Sequence, residues 1–241
     1  DIVACGVAGI SFYVLKTNAC GDTLWSNAYD MSIGGDMGLN VIQNSDTSYV
    51  ICGSTYNAVE GATDGFLISF STSGDSLWYQ QISVGFNDRF ADVKETSDGG
   101  FIVGGYRNMT EDSSIFIVKT DRYGVEEWRE YYGSQDYENV ESIEITSDGG
   151  YLLFSDVISS VSGTSDYQLF KTDSVGVLQW SYQYDSQMGL YEGGGFGKTT
   201  LDKGAIQIGG KETSSGSGLE EPWIVKTDSS GSVEWTKEWN L

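Results

Sequence analysis

The stretch KTDSVGVLQW, from Lys171 to Trp180, recurs along the chain and decides its fold. Close copies read KTDRYGVEEW up to Trp128 and KTDSSGSVEW up to Trp235. The tryptophans that close the five copies lie 53, 50, 52 and 55 residues apart, and they are Trp25, Trp78, Trp128, Trp180 and Trp235. Self-similarity at a period of about 50 residues is typical of a solenoid, a propeller or another repeat array.

Each full copy carries the signals of four short strands. In the third copy, the turn SDGG at Ser97 joins a first strand to the second strand FIVGG, and its glycines supply the positive φ angles of a tight hairpin. A third strand, IFIVKT, and a fourth strand that carries Trp128 follow. Four consecutive short strands per copy are the pattern of a propeller blade. The sequence predicts an all-β fold, a β-propeller with at least five four-stranded blades in one domain, with repeats at about 1–30, 31–82, 83–132, 133–184 and 185–241.

The first copy differs from this pattern at its start. DIVACG, from Asp1, aligns with the second strands YVICG and FIVGG of the next two copies. The first blade therefore lacks its first strand, and no segment after Trp235 supplies it. We expect either that the sequence is a piece of a longer polypeptide or that another chain or segment completes the first blade.

The composition narrows the classes of function. The chain has 13 Lys plus Arg against 35 Asp plus Glu, for a formal net charge of -22. A chain with so few Lys and Arg side chains cannot make the phosphate contacts that nucleic-acid binding requires. A nucleic-acid partner is therefore excluded. Its longest apolar runs fall short of the roughly 20 residues that span a membrane. The chain also has no histidine, no GxSxG elbow and no phosphate-binding loop, so we predict that it is not an enzyme.

The phrases SDGGFIVGG at Ser97, SDGGYLLFS at Ser147 and KTDSVGVLQW at Lys171 resemble the repeats of secreted and cell-surface bacterial β-propeller proteins, many of them adhesin-like proteins of Bacteroidota. The resemblance extends over all five copies and concerns the fold more than any chemistry. It implies a secreted or cell-surface location.

One polar position recurs in four copies, nine residues before the hairpin turn. It holds an acid each time: Asp36, Asp88, Glu138 and Glu192. Two interpretations are open. Close carboxylates repel one another unless a cation lies among them, and a hard cation such as Ca²⁺ takes oxygen ligands. Alternatively, each acid accepts backbone N–H bonds from its own loop.

The loops after the second strands should lie at the same end of the blades as these acids. They add further acids, so a strongly negative face is expected there: Glu60, Asp64, Glu111, Asp112, Asp166, Glu212, Glu220 and Glu221. We predict that a protein or a glycan binds at this face. Aromatic residues near these loops could stack on sugar rings or pack at strand ends: Tyr56, Phe86, Tyr106, Tyr137, Tyr191 and Trp223.

Other recurring residues have structural interpretations. The five repeat tryptophans are predicted to pack against the neighbouring blade, each with a second large side chain four residues later. The recurring lysines should form an ion pair or pack their stems over an aromatic ring, and they are Lys16, Lys119, Lys171 and Lys226, with Ser69 in the second copy. The three cysteines, Cys5, Cys20 and Cys52, are interpreted as free thiols, or as a Cys5–Cys20 disulfide with Cys52 free.

The sequence thus predicts a non-enzymatic extracellular module that serves binding, adhesion or scaffolding within a larger surface protein. Two alternatives remain: a lectin-like carbohydrate binder and a glycoside hydrolase. The hydrolase requires two carboxylates that face one cleft about 5 to 10 Å apart.

Overall fold

The computed structural model describes residues 1–32, 34–107, 114–133, 136–159, 161–185, 190–214 and 218–239. These residues form strands, turns and loops, arranged as five antiparallel sheets. One sheet has three strands and four sheets have four strands each, with every strand beside its neighbour in sequence. The prediction of consecutive four-stranded blades, with a first blade one strand short, is confirmed.

The strand bounds follow the repeat. Blade 1 contains β1 (Ile2–Ala8), β2 (Ser11–Thr17) and β3 (Thr23–Tyr29). Blade 2 contains β4 (Asp36–Gln43), β5 (Tyr49–Asn57), β6 (Ala62–Phe70) and β7 (Ser76–Ile82). Blade 3 contains β8 (Asp88–Glu95), β9 (Phe101–Arg107), β10 (Ser114–Thr120) and β11 (Glu126–Tyr132). Blade 4 contains β12 (Tyr137–Ile145), β13 (Tyr151–Ile158), β14 (Ser165–Thr172) and β15 (Leu178–Tyr184), and blade 5 contains β16 (Glu192–Thr199), β17 (Ala205–Glu212), β18 (Glu220–Thr227) and β19 (Val233–Glu238).

The chain folds as two compact units. Unit 1 comprises Asp1–Met109 and Ile117–Arg129, and unit 2 comprises Thr110–Phe116 and Glu130–Leu241. In unit 1, blades 1 and 2 share a core that includes Phe12, Ile51, Phe66 and Phe70. In unit 2, blades 4 and 5 share a core that includes Phe154, Tyr167, Trp223 and Val225. Among the described residues, no helix could span a lipid bilayer.

Each blade has two distinct edges because its strands are antiparallel. The turn edge carries the two tight turns of the blade, and the loop edge carries the start of the first strand and the loop between the second and third strands. The first strands of blades 2 to 5 each contain a β-bulge, which in blade 3 lies between Phe90 and Asp92. A bulge turns the side chains beyond it to the other face, so the acids at the strand start are oriented independently of the apolar residues that follow.

The repeat tryptophans pack on a glycine of the following blade, as predicted for the fourth strand. A Cβ placed on Gly74 would lie 3.0 Å from the indole of Trp25, and one on Gly231 would lie 2.9 Å from that of Trp180. Both glycines have positive φ in the Asp-x-x-Gly turn or its equivalent. The indoles are half-buried at four of the five positions, while that of Trp235 is 45 % exposed.

The recurring lysines form the predicted ion pairs at the turn edge. Lys119 Nζ lies 2.9 Å from Asp98, Lys171 Nζ 3.0 Å from Asp148, and Lys226 Nζ 2.9 Å from Asp202. Each ammonium also donates to the carbonyl of the next residue, Thr120, Thr172 or Thr227. In blade 1, Lys16 pairs with Asp1 at 3.2 Å and lies 5.5 Å from the centre of the Tyr49 ring. In blades 3, 4 and 5 the lysine thus joins the hairpin turn to the third strand.

Blade 2 is built differently at this place. A Cβ on Gly100, Gly150 or Gly204 would lie 2.6, 2.6 or 2.9 Å from the lysine Nζ of its own blade. Blade 2 has Ser69 in place of the lysine, and Ser48 occupies the position of the glycine. Ser48 donates from its N–H and its hydroxyl to Asp46 Oδ1, at 2.9 and 2.6 Å. The carbonyl oxygens of Thr120, Thr172 and Thr227 would lie closer still to such a Cβ, at 2.2, 2.1 and 2.0 Å, so the backbone as well as the lysine requires glycine in blades 3, 4 and 5.

Candidate functional site

The four first-strand acids are buried at the loop edge, at relative exposures of 3 % or less. Asp36 accepts hydrogen bonds from the N–H groups of Met31 (2.6 Å) and Ser32 (3.2 Å) and from the hydroxyl of Thr55 (2.5 Å). Asp88 accepts from the N–H groups of Val84 and Gly85. These are the bonds of the second interpretation, in which each acid holds the chain segment that enters its own blade.

The other two acids lie in unit 2. Glu138 packs against Gly133, since a Cβ at this glycine would lie 3.0 Å from Glu138 Oε2. Glu192 begins β16 and is fully buried. Because all four acids are buried, they have a structural role at the loop edge.

Two third-strand acids stand beside the first-strand acids of the next blade. In unit 1, Asp64 Oδ2 accepts from Gln81 Nε2 at 2.7 Å and from Asn57 Nδ2 at 2.8 Å. In unit 2, Asp166 Oδ2 accepts from Gln183 Nε2 in the same way. The pairing of a third-strand Asp with a fourth-strand Gln is a repeated feature that the sequence reasoning missed, although Gln81 and Gln183 both stand three residues after the repeat tryptophan.

In unit 1 the acid pair consists of Asp64 and Asp88, which are both almost fully buried. The Oδ1 atom of each accepts no hydrogen bond within the described part of the chain. Burial raises the pKa of Asp88, against the lowering effect of its two backbone hydrogen bonds, and the nearby Asp64 carboxylate raises it further. Arg107 acts in the opposite direction on the same pKa.

In unit 2 a third acid joins the equivalent pair. One carboxylate oxygen from each of Asp166, Asp185 and Glu192 lies within 4.8 Å of the others. No other group of three such ligand residues occurs among the described residues. In unit 1 the position of Asp185 is taken by Ser83, so the two copies of the arrangement differ in charge. Carboxylate oxygens at this spacing are ligands of the kind that Ca²⁺ prefers.

Tyr191 lies directly before Glu192 in unit 2, and several acids surround its ring. Its side chain is 38 % exposed. Its pKa is raised by partial burial and then by the charges of Asp156, Glu220 and Glu141, while a hydrogen bond with Ser165 lowers it. We call Tyr191, Glu141, Glu220, Asp166, Asp185 and Glu192 the unit-2 loop-edge site.

The remaining aromatic residues divide by exposure. Tyr137, directly before Glu138, is 49 % exposed, and Phe86, two residues before Asp88, is also exposed. Tyr56 and Tyr106 are half-buried. Trp223 is 3 % exposed, and its ring lies 4.7 Å from that of Tyr167 in the unit-2 core. Of the two interpretations of Trp223, packing within the protein is therefore correct and stacking on a sugar is wrong, because the side chain is buried in the unit-2 core.

The predicted loop acids are placed in several environments. Glu60 and Glu220 are exposed, Glu212 and Glu221 are half-buried, and Asp64 is buried in the hydrogen-bonded pair described above. Glu111 and Asp112 lie outside the described residues. The loop edge is acidic as expected, but part of its charge belongs to the supporting structure.

Asp156 is a buried acid that the sequence reasoning did not single out. It accepts from the N–H groups of Gly194 (2.9 Å) and Gly195 (3.4 Å), in the bulge of β16. Burial raises its pKa to about 6, although these backbone bonds lower it. The signal in the sequence was the glycine run from Gly193 to Gly195, which allows the backbone to approach a carboxylate closely.

Several solved structures are similar to this chain in fold. A protein of unknown function from Dyadobacter fermentans matches with a TM-score of 0.64 at 12 % identity, over 96 % of this chain and 72 % of its own. The Synechocystis apocarotenoid oxygenase matches with a TM-score of 0.53 at 12 % identity, over 98 % of this chain and 57 % of its own. The exo-β-1,3-galactanase of Phanerochaete chrysosporium, solved with galactose, matches with a TM-score of 0.51 at 15 % identity, over 99 % and 64 %.

The chain spans less than two thirds of the length of the oxygenase and of the galactanase. At these identities the similarity concerns the fold alone, and the fold is an all-β propeller. No protein-family model matches the sequence, and the comparison with curated proteins gave no match. The described residues thus form five blades of a β-propeller.

Proposed function

We propose that this chain is a non-enzymatic extracellular binding module, an adhesion unit of a larger secreted or cell-surface protein that recognises glycans at its loop edge. The observation that carries the proposal is the pairing of an exposed aromatic ring with a buried acid. Tyr137 and Tyr191 stand in the open directly before the buried Glu138 and Glu192. A sugar ring stacks on an aromatic face, and a backbone anchored one residue away keeps that face in place.

The unit-2 loop-edge site provides the polar part of such recognition. Sugar hydroxyls donate hydrogen bonds, and carboxylates are strong acceptors for them. Exposed Glu220 and half-buried Glu141 both lie close enough to Tyr191 to raise the pKa of its hydroxyl. An aromatic platform edged by carboxylates favours neutral sugars rich in hydroxyl groups over acidic ones, because the chain already carries a net charge of -22.

The test is a glycan array, followed by calorimetry with any sugar that binds. Tyr191→Ala should abolish measurable binding, whereas Tyr123→Ala should leave it unchanged, since Tyr123 is 58 % exposed at the turn edge. A wild-type chain that binds no glycan would refute the proposal. New reducing ends released from a bound glycan would refute its non-enzymatic part.

A second candidate role is Ca²⁺ binding by Asp166, Asp185 and Glu192, favoured by the mutual proximity of their carboxylates. Calorimetry with calcium chloride on the chelator-treated protein would measure it. Asp185→Asn should weaken binding strongly, and Glu60→Gln, which removes one exposed charge elsewhere on the loop edge, should have little effect. Equal affinity in both variants would show that calcium responds only to the general acidity of the surface.

A further inference from the structure

A lysine of blade 1 reaches the second blade at the turn edge of unit 1. Lys16 Nζ donates to the carbonyl of Thr72 at 3.2 Å, and it lies 5.5 Å from the centre of the Tyr49 ring. Tyr49 begins the second strand of blade 2, and Thr72 lies in the turn between the third and fourth strands of that blade. The lysine side chain therefore lies between its own blade and the next one.

The equivalent place between blades 2 and 3 has no lysine, because blade 2 has Ser69 there. Phe101 of blade 3 corresponds in the repeat to Tyr49. Arg122 of the same blade corresponds to Thr72. A cavity of about 480 Å³ lies here within unit 1, and it is lined in part by Ser69, Phe101 and Arg122. The cavity therefore lies where blade 1 has a lysine side chain.

The apolar lining of this cavity suits the stem of an alkylammonium ion. Trp78 and Phe101 both line it, with ring centres 5.8 Å apart and ring planes inclined by 47°. Leu77 adds further apolar surface. An alkyl chain packs on such side chains, and an ammonium group is attracted to the face of an aromatic ring. Lys16 and Tyr49 already show this arrangement in blade 1.

The hairpin turn of blade 2 supplies acceptors for the ammonium group. Asp46 lines the cavity and corresponds to the aspartates that pair with the lysines of blades 3, 4 and 5. Hydrogen bonds from Ser48 lower the pKa of Asp46, so its carboxylate is charged at neutral pH. Asn44 also lines the cavity, and its Oδ1 is buried and accepts no hydrogen bond within the described part of the chain. A buried acceptor without a donor is unfavourable, and an ammonium ligand supplies the donor.

Size and charge narrow the class of ligand. The cavity volume lies within the roughly 300 to 1,000 Å³ of small-molecule sites, and the net charge of -22 attracts cations to the chain. Arg122 is a cation in the lining, and its Nη2 would lie 4.0 Å from a Cβ on Gly99. A second positive charge on the ligand would be repelled there, so a ligand with one ammonium group is favoured over a diamine.

We propose that this cavity binds a small primary alkylammonium ion, whose stem lies along Trp78 and Phe101 and whose ammonium group donates to Asp46 and Asn44. The ligand replaces the lysine that the other four blades supply from their own third strands. A free ligand, unlike a lysine tethered at position 69, can place its ammonium group beside the Ser48 side chain. The site is at the turn edge, so it can be tested separately from glycan binding at the loop edge.

Calorimetry with n-butylammonium chloride tests the proposal, with sodium chloride at the same concentration as the reference. The wild-type chain should bind the amine saturably, and n-butanol, which has the same stem without the charge, should bind about tenfold more weakly or less. Asp46→Asn should weaken binding of the amine by about tenfold or more, because it removes the charged acceptor. Asp148→Asn is the matched control and should leave the affinity unchanged, since Asp148 already pairs with Lys171.

A double variant that carries Ser48→Gly and Ser69→Lys gives blade 2 the residues of blade 3 at both positions. Its own lysine should fill the cavity, so its affinity for n-butylammonium should fall by about tenfold or more, while thermal unfolding shows that it is folded. A wild-type chain that does not bind the amine, or a folded double variant that binds it as tightly as the wild type, would overturn the proposal. Equal affinity in Asp46→Asn and Asp148→Asn would overturn it as well, whether or not the double variant folds.

Discussion

Trp78 and Gly124 are in direct contact: a Cβ placed on Gly124 would lie 2.6 Å from Cζ3 of the indole. Gly124 also has φ of +75°, a backbone conformation that side chains disfavour. The glycine of the repeat therefore has two functions, since it closes the turn and receives the tryptophan of the preceding blade.

Gly124→Ala should destabilise unit 1 by about 2 to 4 kcal/mol, because the strain of positive φ adds to the overlap with Trp78. Gly61→Ala is the matched control, since Gly61 has φ of +69° and open space around its Cα. It should cost only about 1 kcal/mol. Urea denaturation of both variants measures the difference, and equal losses would show that the indole adjusts freely.

Asp148 should make the protein sensitive to acid. Its hydrogen bond from Thr146 lowers its pKa to about 2, with Lys171 acting in the same direction. A lowered pKa in the folded state stabilises the fold above the ordinary pKa of 3.8, and this stabilisation is lost as the pH falls toward 2. Asp148→Asn should show a flatter loss of stability between pH 4 and pH 2 in denaturant titrations. A slope equal to that of the wild type would contradict the assignment.

Asp156 should have the opposite effect on the pH dependence of stability. Its pKa is raised to about 6, so the folded state binds a proton more tightly than the unfolded state does. Stability should therefore fall as the pH rises from about 4 to about 6, by on the order of 2 kcal/mol, and should then stay level. Asp156→Asn should remove this dependence. Carboxyl NMR titration of Asp156 gives an independent measurement, and an ordinary pKa there would refute the prediction.

The three thiols should differ sharply in reactivity. All are free, with Cys20 exposed, Cys5 half-buried and Cys52 buried. Burial raises the pKa of Cys5 to about 11 and that of Cys52 well above its ordinary value. A thiol reagent at mildly alkaline pH should label Cys20 rapidly and the other two only on unfolding, because the thiolate is the reactive form. Only one reactive thiol after full denaturation would indicate the alternative Cys5–Cys20 disulfide.

Much of the architecture could be predicted from the sequence, because the repeated motif marks both the blades and the turns within them. The spacing of the tryptophans gave the number of blades, and the SDGG and Asp-x-x-Gly turns located the hairpins. The first strands were harder to delimit. The apolar pattern predicts first strands that begin at Ala91 and Val140, whereas the strands begin at Asp88 and Tyr137, because the bulges reverse the alternation on which strand prediction depends.

The candidate site was less accessible to sequence reasoning. The recurring acids are identified by their period, but a period does not distinguish a ligand from a structural residue. The structural role is shown by the hydrogen bonds that Asp36 and Asp88 accept from the N–H groups of Met31 and Val84. The sequence groups Trp223 with the loop aromatics because this residue directly follows a loop. It is buried because the strand β18 begins at Glu220 and turns that side chain toward Tyr167.

The exchange of Lys for Ser69 and of Gly for Ser48 in blade 2 has a consequence for anyone who recombines these repeats. In blades 3, 4 and 5 the glycine faces two groups, the ammonium of the lysine and the carbonyl of the residue after it, whereas blade 2 has neither the lysine nor the glycine. A lysine introduced alone at position 69 would place its ammonium beside the Ser48 side chain. A blade that is moved from one repeat to another should therefore keep its own residues at both positions.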